Sequence, residues 1–133
     1  MNIPKHLYNQ MINHGHTQLP YEACGFLAGN DQNDVLSVWP LDNENESRVR
    51  YYVSKKVVNK TLNQVSSRGQ KVLAIYHSHP VAAPYPSSTD IRHHPDENVK
   101  MIIISFKKTL PQIKCFTINV PTYEQYPFSI INS

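Results

Sequence analysis

A mixed α/β fold, a sheet flanked by helices, is predicted by three features of the chain. Val72 to Tyr76 is a continuous apolar run bounded by Gly69 and Pro80, the pattern of a central strand buried on both faces. Ile3, Leu7 and Met11, and later Val58, Leu62 and Val65, place apolar residues at helical spacing, as helices lying on a sheet do. Val99 to Phe106 and Ile113 to Val120 are rich in β-branched and aromatic residues, which suit a pleated, half-buried surface.

The elements follow in order. The first helix carries Ile3, Leu7 and Met11, with Tyr8 and Ile12 beside them, and ends before Pro20. Cys24 to Ala28 and Val35 to Leu41 are two apolar runs separated by Gly29, Asn30 and the polar Asp31 to Asp34, which reads as a hairpin. Asp42 to Arg48 is polar and is expected to be an exposed loop, and Tyr51 to Val53 is expected to add a short strand. Ser54 suits the N-cap of the second helix and Gly69 its stop. After the central strand, a loop from Pro80 to Pro86 leads to Ser87, and a short helical turn is expected as far as Pro95. Lys107 to Pro111 has the length of a hairpin loop between the last long strands, and Tyr123 to Ile131 is expected to supply an edge strand. No internal repeat, low-complexity segment or linker interrupts residues 1–133, so a single domain is expected.

Composition removes several classes of function. Hydrophobic residues make up 40% and charged residues 17% of the 133 positions, an ordinary globular balance. The net charge of +3 comes from scattered Lys and Arg with only short pairs such as Lys55-Lys56 and Lys107-Lys108, so no nucleic-acid-binding stripe is expected. No signal-like apolar segment opens the sequence and no run reaches the roughly 20 residues that cross a bilayer. A cytoplasmic location with no membrane association is therefore expected, with Cys24 and Cys115 as buried thiols.

The chemistry concentrates at the end of the central strand. Alternate strand residues share a face, so His77 and His79 project together while Ser78 points away. Asp90 comes eleven positions after His79, and a carboxylate folded back there completes three ligands. Two neutral imidazoles and one carboxylate leave a divalent zinc a net charge of about +1 and an open position for water, as in catalytic sites. Zinc lowers the pKa of such a water from about 15.7 to roughly 7. Plainer readings exist for each piece: a lone His at a strand end is commonly a surface residue, and Ser87-x-x-Asp90 is also a helix-capping pattern. Their joint spacing, His77-Ser78-His79-Pro80, six residues, Ser87, two residues, Asp90, is what separates them from chance.

This constellation resembles the JAMM (MPN-plus) metalloproteases, whose signature is an upstream Glu, then H-[S/T]-H-P, six residues and S-x-x-D. The segment Pro20 to Gly29, reading PYEACGFLAG, is similar to the P-x-E-x-C-G-L-L-x-G of small bacterial members. The resemblance spans roughly Pro20 to Val120 and implies a cytidine-deaminase-like α-β-α sandwich built on a curved mixed sheet. It implies that His77, His79 and Asp90 bind one zinc, that Glu22 is general base and then general acid, and that Ser87 stabilises the oxyanion. Members cleave peptide or isopeptide bonds after the C-terminal Gly-Gly of ubiquitin-like proteins, and the small bacterial ones act on sulfur-carrier proteins. Relatives often pair, so a homodimer is compatible with the resemblance.

Alternatives are a metal-free scaffold on the same fold and a hydrolase of a small-molecule or cell-wall amide. A deaminase is excluded by the missing H-x-E and P-C-x-x-C pattern. Cys24, inside an apolar run without an activating partner, is expected to be a packed thiol rather than a nucleophile. His14, His16, His93 and His94 are expected at the surface, and Trp39 in the core.

Overall fold

The computed structural model describes residues 1–47 and 50–132. Along them run β1 (Asn2–Pro4), α1 (Lys5–Gln18), β2 (Cys24–Gly29), β3 (Val35–Leu41), α2 (Lys55–Ser67), β4 (Lys71–His79), α3 (Ser88–His93), β5 (Lys100–Ser105), β6 (Gln112–Asn119), β7 (Thr122–Gln125) and β8 (Ser129–Ile131). Six strands form one sheet in the order β3-β2-β4-β5-β6-β7, and β1 pairs with β8. Neighbours in the large sheet are antiparallel except β4 and β5, which are parallel and joined through α3. The sheet is therefore mixed, as expected. Register shifts where β2 meets β3 and β4 curve it, because an extra residue bends a strand and increases its twist.

Alternation along the central strands explains their nearly unbroken apolar runs. Ile102 and Ile104 of β5 pack with Leu7 and Met11 of α1, while Met101 and Ile103 pack with Phe116, Ile118 and Ile91 of α3. Cys24, Phe26 and Leu41 meet Val58 of α2 and Ile75 on that second side. Each fully buried aliphatic side chain contributes about 1.5–3 kcal/mol. Gly25 is needed where β2 crosses Tyr76, since a Cβ there would collide with the Tyr76 ring.

Several expectations change at the edges. Ile3 lies in β1, not in α1, yet it joins Leu7 and Met11 in one buried cluster, so the i, i+4 pattern survives a change of backbone. Tyr51 to Val53 is irregular. The Asn43 side chain donates to Arg50 O at 3.1 Å and accepts from Tyr52 N at 3.0 Å, and Glu44 N donates to Tyr52 O at 2.8 Å, so the segment is held by a side-chain amide and one backbone bond rather than by a ladder. Residues 42–47 are a loop as expected, and Arg48 lies outside the described residues. Tyr123 to Ile131 splits around Pro127 into β7, on the edge of the large sheet, and β8, paired in parallel with β1. In α2 the buried positions are Thr61 and Val65, and Leu62 is 39% exposed. Among the described residues no helix is long and apolar enough to cross a membrane.

Candidate metal centre

The end of β4 brings together three of the residues singled out from the sequence. His77 is opposite Cys24 and Ile103, and His79 is opposite Ser105, so both imidazoles leave the sheet on the α2/α3 side. His77 Nε2 and His79 Nε2 are 3.2 Å apart, and each is 3.2 Å from Asp90 Oδ2. A tetrahedral ion with bonds of about 2.0 Å spaces its donors about 3.3 Å apart. The triangle therefore fits one such ion with its fourth position open. His79 Nδ1 donates to Ala83 O at 2.9 Å, which leaves Nε2 as the lone-pair nitrogen aimed at the site.

The capping box of α3 places Asp90. Ser87 Oγ accepts from Asp90 N at 3.0 Å, and Asp90 Oδ2 accepts from Ser87 N at 2.9 Å. The capping reading and the ligand reading of Ser87-x-x-Asp90 thus coincide in one oxygen. Burial alone would raise Asp90, but hydrogen bonds to His77, His79 and Ser87 hold it well below the usual carboxylate range. Burial lowers His77 despite Asp90. At His79 burial acts the same way, yet Asp90, Ala83 O and Glu22 outweigh it and raise the imidazole.

Glu22 reaches this cluster through strand register. Cys24 pairs with His77 across antiparallel β2 and β4; continuing two residues outward sets Ala23 against Ser78 and Glu22 against His79. That continuation is fastened: Ser78 N donates to Ala23 O at 2.9 Å, and Ala23 N donates to Ser78 Oγ at 2.8 Å. Glu22 is 2% exposed. Burial pushes its carboxyl up to about 8, with His79 opposing and Asp90 adding to the rise. Among the described residues, Glu22 Oε1 and His77 Nδ1 are the fully buried side-chain polar atoms without a hydrogen-bond partner. Such atoms are costly and tend to be kept where function needs them.

Sequence reasoning missed two neighbours. Tyr51 stacks on the His77 ring, centroids 5.2 Å apart and planes at 29°, and nothing in its local pattern signals this. Ser78 lay within the motif, but its bond to Ala23 depends on tertiary pairing. Two surface expectations are corrected. His14 is half-buried with Nδ1 2.7 Å from Tyr76 Oη, and His94 is half-buried with Nε2 2.6 Å from Val99 O; each imidazole satisfies a partner that the sequence does not reveal. His16 and His93 are exposed. Cys24 is a packed thiol, pushed up to about 12 by burial, with Glu22 and Asp42 adding. Trp39 packs at the edge of the Phe26 cluster and carries Arg68 over its ring at 4.7 Å.

Known proteins resemble the chain in sequence and fold. The chain is 38% identical over 73 residues to the desampylase of Haloferax volcanii, covering 53% of this chain and 52% of that protein. It is 29% identical over 100 residues to the CysO-cysteine peptidase of Mycobacterium tuberculosis, covering 74% of this chain and 68% of that one. The matched region thus spans about half to two thirds of these relatives. A solution structure of a protein from Desulfitobacterium hafniense superposes with a TM-score of 0.88 at 28% identity, covering 100% of this chain and 94% of the other. The family of prokaryotic homologs of the JAB domain matches residues 4–119, a span that contains Glu22, both histidines, Ser87 and Asp90, and the chain belongs to that family.

Proposed function

We propose that this chain is a zinc-dependent peptidase or isopeptidase that cuts after the C-terminal Gly-Gly of a ubiquitin-like or sulfur-carrier protein. The observation that carries the reading is the 3.2 Å triangle of His77, His79 and Asp90 with the buried, unpartnered Glu22 oxygen next to it in register. Membership in the JAB-domain family and the similarity to a CysO-cysteine peptidase support it. In this reading residues 1–133 act as one cytidine-deaminase-like domain holding one zinc, in a reducing cytoplasm that suits two buried free thiols.

Zinc held by the triangle supplies Lewis-acid polarisation and makes a nearby water acidic. The residues of the chain do the rest. Glu22 takes a proton from the attacking water, whose oxygen bonds to the scissile carbonyl carbon. It returns that proton to the departing nitrogen as the C–N bond breaks. Ser87 Oγ accepts from Asp90 N, so its own hydrogen is available to the oxyanion, a donation whose removal typically costs about a hundredfold or more in rate.

The test is metal content together with cleavage of a small ubiquitin-like carrier bearing one residue after Gly-Gly, with and without chelator. About one zinc per chain and chelator-sensitive release of the residue are expected. Zinc without release would redirect the search to another amide, and absence of zinc binding would overturn the reading in favour of a scaffold.

A further inference from the structure

A cleft of about 490 Å³ opens from Asp90 to the surface, walled by Arg50, Tyr51 and Tyr52 on the loop before α2 and by Thr89 and Arg92 on α3. Its volume lies within the about 300–1,000 Å³ of small-ligand sites. Its charge is lopsided. Among the described residues Asp90 is the only acid on the wall, and its carboxylate is taken up by His77, His79 and Ser87 N. Arg50 and Arg92 are exposed, and among the described residues neither guanidinium takes part in an ion pair. Glu44 is engaged by Ser54 N at 2.7 Å, and Glu22 is buried. Arg92 is steadied by Thr89, with Nη2 3.5 Å from its hydroxyl oxygen.

We propose that Arg50 and Arg92 form a subsite for the free α-carboxylate of the group that leaves, so that the preferred substrate ends in a residue or short peptide bearing a carboxyl terminus. The inference rests on the peptidase reading for what leaves, and adds which leaving group is recognised. A guanidinium fork matches a carboxylate with two parallel hydrogen bonds. A lysine side chain of a conjugated protein would bring no anion to this cleft and would leave both guanidiniums without a counter-charge.

The test pairs binding with turnover. Zinc-loaded protein is titrated by NMR with Gly-Gly-Ala as free acid and as carboxamide, and the same two endings are placed on the carrier for kinetics. The acid is expected to bind about tenfold or more tightly, as a charge-assisted hydrogen bond at an accessible site allows. Arg92→Ala and Arg50→Ala should each narrow the gap, and the double variant should close it. Equal affinity of acid and amide, no binding of either at millimolar peptide, or a preference that survives the double variant, as when the metal reads the carboxylate, would overturn the proposal. The two readings fail separately. Cleavage of both carriers without acid preference sinks the subsite and leaves the peptidase; an arginine-dependent preference in binding without cleavage of any carrier sinks the peptidase and leaves the subsite.

Discussion

Tyr76 and Ser78 look from β4 towards α1, whereas His77 and His79 look the other way, and the two faces treat buried polar groups differently. On the α1 side Tyr76 Oη meets His14 and Ser78 Oγ meets Ala23 N, so the polar atoms are paired and the remainder is apolar packing. On the opposite side, one residue away along the same strand, Glu22 Oε1 and His77 Nδ1 are buried without partners. Stability alone would pair or remove such groups. A single strand thus carries a face settled by its own contacts and a face on which two buried polar atoms stay unpaired, and consistency is broken where function is expected.

The comparison breaks most completely if the face with unpaired polar atoms is dismantled. His77→Ala or Asp90→Ala should reduce bound metal to background and turnover to nothing, measured by elemental analysis and carrier cleavage; stoichiometric zinc in either variant would remove the triangle from the mechanism. Glu22→Gln should keep zinc and lower kcat by about 10²–10⁴. The same variant has a pH signature in metal-free protein. Glu22 titrates near 8 when folded against 4.5 for an ordinary Glu, so the native state retains a proton that the unfolded chain loses. Stability should therefore fall by up to about 1.4 kcal/mol per pH unit as pH rises through that window and level off above it. Urea unfolding of wild type and Glu22→Gln between pH 5 and 8 checks the sign, because the variant should lack this slope.

Smaller effects belong to the settled face. Ser78→Ala leaves the buried Ala23 N–H without an acceptor, at a cost of about 1–3 kcal/mol, and should lower kcat by about tenfold while zinc affinity is retained, because Ala23 adjoins Glu22. Equal losses in metal binding and kcat would show that Ser78 serves the whole strand rather than the position of Glu22. Tyr76→Phe, which removes only the partner of His14, should cost about 1 kcal/mol in thermal or urea unfolding and leave turnover as it was.

What could be read in the sequence was local. Strand alternation placed His77 and His79 on one side, and a spacing of eleven residues brought Asp90 within reach, because those relations depend on a single strand and a short loop. The central strand and the caps at Ser54 and Ser87 were legible for the same reason. Glu22 was picked out only by likeness to a family motif; its approach to His79 follows from the β2/β4 register, which no local pattern specifies. The parallel pairing of Asn2–Pro4 with Ser129–Ile131 joins opposite ends of the described chain and left no trace in either segment. Tyr51 was misread as strand because its apolar neighbours Tyr52 and Val53 look like one, while the Asn43 amide that holds the segment is invisible to periodicity.

The box at the start of α3 makes one carboxylate serve both a helix start and the candidate metal site. Asp90 Oδ2 both accepts from Ser87 N and completes the triangle, and α3 has only six residues, too few to hold together unaided. In the zinc-binding reading, drawing that carboxylate onto an ion would hold the first turn of α3, and an ordered first turn would present the carboxylate to the ion, so each would lower the entropy cost of the other. Slowed hydrogen exchange at the amides of Ile91 and His94, which donate to Ser87 O and Ile91 O, would then report metal occupancy without any substrate.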